Sequence, residues 1–243
     1  MTLDNNGKAL QISLGVLPTG ARYHNLRRSK QMKKIMFNDK FLLTQAVLNG
    51  TKTMTRRLLK VPKTCNGKEV YSFNILTNNA GTQCVDLVDE NEVVLGSWKP
   101  HYEVGEVVAI AQSYKEVYPN ADFEMVGDGF MKESSGWTNK MFVKADLMPH
   151  HIIITDVKVE RLQDITNEDC LKEGVKFVGK LKADGVNDYF FNVLPTPKHP
   201  NSNIVGLFNS PRVAYAELLD RVSGKGTWKA NPFVWVYDFE LVK

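Results

Sequence analysis

Residues 233–242, Phe-Val-Trp-Val-Tyr-Asp-Phe-Glu-Leu-Val, alternate aromatic and aliphatic side chains too regularly to form anything but a strand of a closed sheet. Two other stretches supply strands for it. Residues 106–111 are an apolar run of strand length entered through Gly105, and residues 151–162 change from fully apolar to alternating, as a strand does on leaving a core. Helical signals are fewer. Residues 41–48 have apolar helical spacing, and Thr166 is placed to cap a short helix that Gly174 ends. Residues 212–222 read as an amphipathic helix with Val213, Ala216, Leu218 or Leu219, and Val222 inward. Strands outnumber helices, so the fold class expected is α+β, a small mixed β-barrel with short peripheral helices.

Between these signals lie three irregular stretches, read as insertions near residues 60–100, 118–139 and 178–211. The first holds short strand candidates at 70–73 and 92–95, and the second leads to an expected hairpin partner at 140–144. The third carries Pro195, Pro197, Pro200 and Pro211 around Tyr189-Phe190-Phe191, an aromatic loop suited to cover a pocket or the core. The 243 residues, 43% of them hydrophobic, can bury a good core as one domain over 34–243. Residues 1–33 hold six basic residues and one acidic one, which leaves 25 basic and 26 acidic residues in the rest of the chain. The net charge of +4 therefore sits in a basic N-terminal extension, expected to be disordered or to precede a true start at Met32, and says little about the domain's ligand.

No apolar run is long enough to span a bilayer and no secretory signal is present, so no membrane partner and a cytoplasmic location are expected. Cys65, Cys84 and Cys170 form no close pair, and the five histidines lack the spacing of a metal-binding helix. No cofactor and no metal are predicted. Residues 223–227, Ser-Gly-Lys-Gly-Thr, mimic a phosphate loop, but they follow a helix and lack its upstream glycine.

The densest chemistry lies at residues 47–57, Val-Leu-Asn-Gly-Thr-Lys-Thr-Met-Thr-Arg-Arg. Gly50 is what a helix needs just past its last turn, and the alternation from Thr51 onward predicts a strand with Lys52, Met54 and Arg56 on one face and Thr53, Thr55 and Arg57 on the other. Such residues suit a solvated strand edge, or a site for an anionic or acyl-bearing ligand. Gly50, Lys52, Thr53, Thr55 and Arg56 resemble the Gly-x-Lys-Thr-x-Thr-Arg signature of the ASCH domain family, part of the PUA-like β-barrel superfamily. Three further segments resemble phage- and prophage-type members in the same order: residues 102–108, residues 154–166 with Glu173-Gly174-Val175, and residues 226–236. Where that group carries Arg-Glu-Thr-Trp, this chain has Ala111-Gln112-Ser113-Tyr114.

The resemblance implies a PUA-like barrel and two kinds of function. The first is binding of nucleic acid, RNA above all, or of a modified nucleotide, with Arg56 and Arg57 on phosphate and Trp228 or Tyr114 stacked on a base. The second is an amidohydrolase acting on N4-acylated cytidine, with Lys52 as base, Thr55 as nucleophile and Glu173 as proton donor. Thr53, Asn231 or amides near Gly50 would then hold the oxyanion. In a regular strand Lys52 and Thr55 face opposite ways, so this chemistry requires a bulge or bend after Gly50. A phage-derived structural or accessory protein is the third reading.

Overall fold

The computed structural model describes residues 31–77, 81–183, 186–192 and 207–242. The N-terminal extension expected over 1–33 lies almost wholly outside them. From Met32 onward the chain forms one compact unit.

Strand β1 (Lys34–Ile35) and helix α1 (Leu43–Leu48) precede the signature strand β2 (Met54–Leu58). A hairpin, β3 (Thr64–Cys65) and β4 (Lys68–Glu69), and a meander, β5 (Ser72–Thr77), β6 (Gln83–Val88) and β7 (Val94–Trp98), occupy the first expected insertion. Strand β8 (Val107–Ile110) leads to α2 (Tyr114–Val117) and the small hairpin β9 (Met125–Val126) and β10 (Gly129–Phe130). The long β11 (His151–Arg161) is followed by α3 (Asn167–Lys172), the hairpin β12 (Lys176–Ala183) and β13 (Val186–Asn192), and β14 (Leu207–Phe208). Helix α4 (Pro211–Ser223), the single turn α5 (Thr227–Ala230) and β15 (Phe233–Leu241) complete the chain.

The main sheet has the order β1-β8-β11-β15-β2, with β1 parallel to β8 and the other pairs antiparallel. The alternating C-terminal run, β15, is paired on both edges, and Val234, Trp235, Val236, Tyr237 and Phe239 along it are all buried. Among the described residues no pairing joins β1 to β2, so the sheet is open and the expected closed barrel is not seen. The reason is local: β1 has two residues, and Asn38 caps a helical turn immediately after it. The α+β class, with short helices outside a sheet, stands.

Strand β8 divides the interior in two because successive side chains point to opposite faces. Val108 and Ile110 enter the main core, and Ala109 and Ala111 enter a second, smaller core built around Tyr114. That second core is what the 118–139 segment does, together with Val143, Ala145 and Met148. The hairpin partner expected at 140–144 is instead a 3-10 turn, Lys140–Phe142. In the first insertion the unforeseen β6 sends Val85 and Leu87 into the main core, so the segment is structural and not a loose loop. The 178–211 segment holds the β12–β13 hairpin, and the proline-rich stretch 193–206 lies outside the described residues.

Helix α4 begins at Pro211, where Ser210 Oγ accepts the Val213 amide. Its inward face differs from the expected one. Pro211, Ala214, Tyr215, Leu218 and Leu219 are buried, whereas Val213 and Val222 are 48% and 40% exposed. Burying Tyr215 and both leucines removes more apolar area from water than burying two valines, and this sets the rotation.

Candidate active site

Helices α1, α3 and α4 converge on the start of β2. Gly50, with φ 69°, turns the chain out of α1, and the amides that follow are committed. Thr51 and Lys52 donate to the Ala46 carbonyl, and Thr53 donates to that of Lys172. Regular strand begins only at Met54. Lys52 therefore precedes β2, the alternation that would set it opposite Thr55 does not apply, and both line one pocket of ≈ 120 Å³. Asn38, Arg56, Glu173 and Tyr215 share that pocket.

A buried ion pair forms its centre. Lys52 Nζ donates to Glu173 Oε2 at 2.6 Å, to the Glu173 carbonyl at 2.9 Å and to the Met54 carbonyl at 2.7 Å, so all three ammonium protons are used. Lys52 and Glu173 are 3% and 4% exposed. Glu173 caps the C-terminus of α3, where the helix dipole opposes a carboxylate by about 0.3–1 kcal/mol. Removing one partner of a buried pair costs about 3–5 kcal/mol, so the pairing outweighs the dipole. Burial lowers the Lys52 pKa from its ordinary 10.5, against the raising effect of Glu173, and Arg57 and Arg56 lower it further.

Arg56 has a role the sequence did not suggest. Its side chain is wholly buried, with Nε and one terminal nitrogen donating to Glu160 Oε1 at 3.0 and 2.5 Å. The same terminal nitrogen reaches Asp169 Oδ2 at 3.2 Å, and the other donates to Glu173 Oε1 at 3.3 Å and meets Met54 Sδ at 3.0 Å. Burial opposes the cation, but the carboxylates, Glu173 foremost, more than offset it and raise its pKa. All five N–H groups are spoken for, which corrects the expected phosphate contact. Arg56 holds Glu173 in place.

Three groups face this pair. Thr55 is 5% exposed, and no described residue hydrogen-bonds its hydroxyl. Tyr215, 3% exposed, has its pKa pushed well up by burial and by the neighbouring Glu173 carboxylate, so it stays protonated. Asn38 Oδ1 accepts the Lys40 amide at 3.0 Å, which turns its side-chain nitrogen the other way, with no acceptor among the described residues.

The remaining expected contacts lie elsewhere. Tyr114 is fully buried, its ring against Gly136 and its hydroxyl accepting the Lys144 amide at 2.8 Å, which rules out stacking on a base. Trp228 lies behind the pocket wall, its ring 6.2 Å from that of Tyr215 and 5.8 Å from the Arg212 guanidinium. Asn231, left-handed at φ 45°, uses Oδ1 to accept the Gln163 amide at 2.8 Å and does not line the pocket, which removes it as an oxyanion donor. Gly50 and Thr53 shape the turn and do not line the pocket. Arg57 is exposed at the rim and donates to the Met36 carbonyl at 2.5 Å. In the phosphate-loop mimic, the Gly226 and Trp228 amides donate to the Asp220 carboxylate at 2.9 and 2.8 Å, so the chain supplies its own anion there.

Reading the sequence missed Asn38, Tyr215, Glu160 and Asp169 as parts of this site. Asp169 entered the reading only through the Thr166 cap, Asn38 lay outside every motif considered, and Tyr215 lay one position off the face assigned to α4. Among the described residues no group of three or more His, Cys, Asp or Glu is placed to hold a metal, and no helix is long and apolar enough to cross a membrane. No protein-family model matches the chain, and neither does any curated protein or solved structure.

Proposed function

We propose that this protein is an amidohydrolase of the ASCH type, removing an acyl group from the exocyclic amine of an N4-acylated cytidine. The observation that carries the reading is the Thr55 hydroxyl, without a hydrogen-bond partner among the described residues, in the same small pocket as the buried Lys52–Glu173 pair. A threonine hydroxyl is a weak nucleophile until an amine takes its proton, and a lysine can do so only when its pKa is lowered, as burial does here. Moving one proton along the 2.6 Å bond from Lys52 to Glu173 prepares a free amine and a protonated acid together.

Thr55 Oγ then adds to the amide carbonyl and its proton passes to Lys52. The tetrahedral oxyanion accepts from the Asn38 side-chain nitrogen or the Tyr215 hydroxyl. Collapse breaks the C–N bond, Glu173 protonates the departing N4, and the acyl group remains as an ester on Thr55. Water, giving a proton to the same machinery, hydrolyses that ester to the carboxylic acid and restores the hydroxyl. The pocket's ≈ 120 Å³ suits an acyl-amide end and is well below the roughly 300–1,000 Å³ of a site that swallows a whole ligand. The binding-module reading is weaker, because Arg56, Tyr114 and Trp228, three of its contacts, are engaged in the protein.

Thr55→Val tests this with little structural cost, since the hydroxyl has no partner among the described residues to orphan. We expect wild type to release cytidine from N4-acetylcytidine, and Thr55→Val to melt within a few degrees of wild type with turnover lost. Turnover by the valine variant at the wild-type rate would overturn the mechanism, and none from wild type across a panel of N4-acyl groups would overturn the activity. The wild-type rate should fall as pH rises through the Lys52 pKa, which lies below 10.5, because loss of the pair's shared proton leaves Glu173 with none to give to N4.

A further inference from the structure

A second cavity, ≈ 770 Å³, adjoins the small pocket and shares Met36, Arg57 and Leu58 with it. Its walls combine cations with aromatic rings. Arg57, Lys60 and Lys99 stand around it, Trp235 and Tyr237 form a buried floor, and Trp98 is 40% exposed at the edge. Among the described residues no carboxylate lines this cavity or pairs with any of those three cations. Other lining groups are committed: Lys34 Nζ donates to the Met141 and Val143 carbonyls, both at 2.6 Å, and burial and the Lys33 charge lower the His101 pKa, so its ring is neutral at pH 7.

Cations that no described carboxylate pairs, set around a concave, ring-lined space, attract an anion, and the guanidinium and ammonium groups suit phosphate oxygens. The rings suit a base or a ribose face, and the volume falls inside the roughly 300–1,000 Å³ of small-molecule sites. Trp98 and Lys99 belong to the end of β7 and the residue after it, so the first insertion builds one wall. Arg57 stands at the junction of the two cavities.

We propose that the larger cavity is the phosphate-recognising half of the substrate site, so that the protein takes a phosphorylated nucleoside in preference to the bare one. This rests on the amidohydrolase reading for the direction of the ligand: the acyl-amide end enters the small pocket, and the sugar and its phosphate occupy the larger cavity. The phosphate belongs either to a free nucleotide or to a phosphodiester in a short strand, and both present the same oxygens.

The test is a binding measurement that does not depend on turnover. The Thr55→Val protein is titrated with cytidine, cytidine 5′-monophosphate and a cytidine-centred trinucleotide, following tryptophan fluorescence at two salt concentrations. The monophosphate should bind at least about tenfold tighter than cytidine, as hydrogen bonds to charged groups warrant, with the advantage shrinking in high salt. Lys60→Ala with Lys99→Ala, both exposed positions, should erase that advantage. A trinucleotide that binds tighter still, through the same lysines, identifies a strand as the source; one that binds no tighter identifies the free nucleotide. Equal affinity for cytidine and its monophosphate, or an advantage that survives the double variant, overturns the proposal. Phosphate-dependent binding without any hydrolysis would leave this subsite standing and reject the catalytic reading alone.

Discussion

Lys52 is the residue on which stability turns and, under the proposed mechanism, the chemistry as well. It is held by three acceptors in a site with almost no access to water, and its partner Glu173 is shared with Arg56. Lys52→Ala leaves a buried carboxylate with one counter-charge in place of two, and it orphans two carbonyls. Urea denaturation should show a loss of about 3–5 kcal/mol, and a loss below about 1 kcal/mol would mean that the pair is solvated in solution. This is why an inactive Lys52→Ala protein would say little about catalysis, and why Thr55, whose hydroxyl bonds no described residue, is the cleaner probe. A Lys52→Met, Glu173→Gln double variant should recover part of the loss, because it removes both charges of the pair.

At the level of elements, what positions the site is a set of short pieces, none of them stable alone. Helices of six residues such as α1 and α3 are far below the length at which helices persist in water, so their geometry is borrowed from the sheet. The second core shows how tightly these pieces fit. A Cβ added at Gly136 would lie 2.5 Å from Tyr114 Cε2, and the Tyr114 hydroxyl is already fixed by the Lys144 amide. Gly136→Ala should therefore destabilise by about 1–3 kcal/mol, read as a drop in melting temperature of roughly 2–4 °C per kcal/mol for a chain of this size. An unchanged melting temperature would show that the 118–139 segment can give way without cost. The Lys52–Glu173 pocket, lined by no residue of the second core, should be unaffected in this variant.

Over the whole molecule, buried acids of high pKa set the response to alkali. Burial raises Tyr102 and Cys170 each to about 12, from 10.0 and 9.0, and raises Tyr215 and Tyr237 above 10.0 as well. Each holds its proton in the folded state after the unfolded chain has released it, so each contributes stability that declines as pH rises above its unfolded value. Lys52 and Lys34, whose pKa values are lowered, act oppositely, but their effect is complete by the unfolded value of 10.5. Calorimetry should find a melting temperature that falls from pH 9 upward and falls most steeply beyond 10.5. A flat profile across that range would contradict the burial of these four groups.

How much of this was legible beforehand depended on the range of the interactions. The pairing of β15 and the length of β11 follow from period-two patterns, and the Thr166 cap, which accepts the Asp169 amide at 3.0 Å, follows from chemistry three residues apart. Lys52, Thr55 and Glu173 were named through the family resemblance, and the break after Gly50 that a shared pocket requires followed from strand alternation. The α+β class, four of the five strands of the main sheet and the neighbourhood of the pocket could be read from the chain alone, because those rest on contacts along one element. That the sheet stays open, that Arg56 turns inward to three carboxylates, that Tyr114 belongs to a core, and that Tyr215 and Asn38 line the pocket of the ion pair were settled by contacts between distant segments. Each of these depends on which groups from distant segments compete for the same buried space and the same hydrogen bonds, and no local pattern records the outcome of that competition.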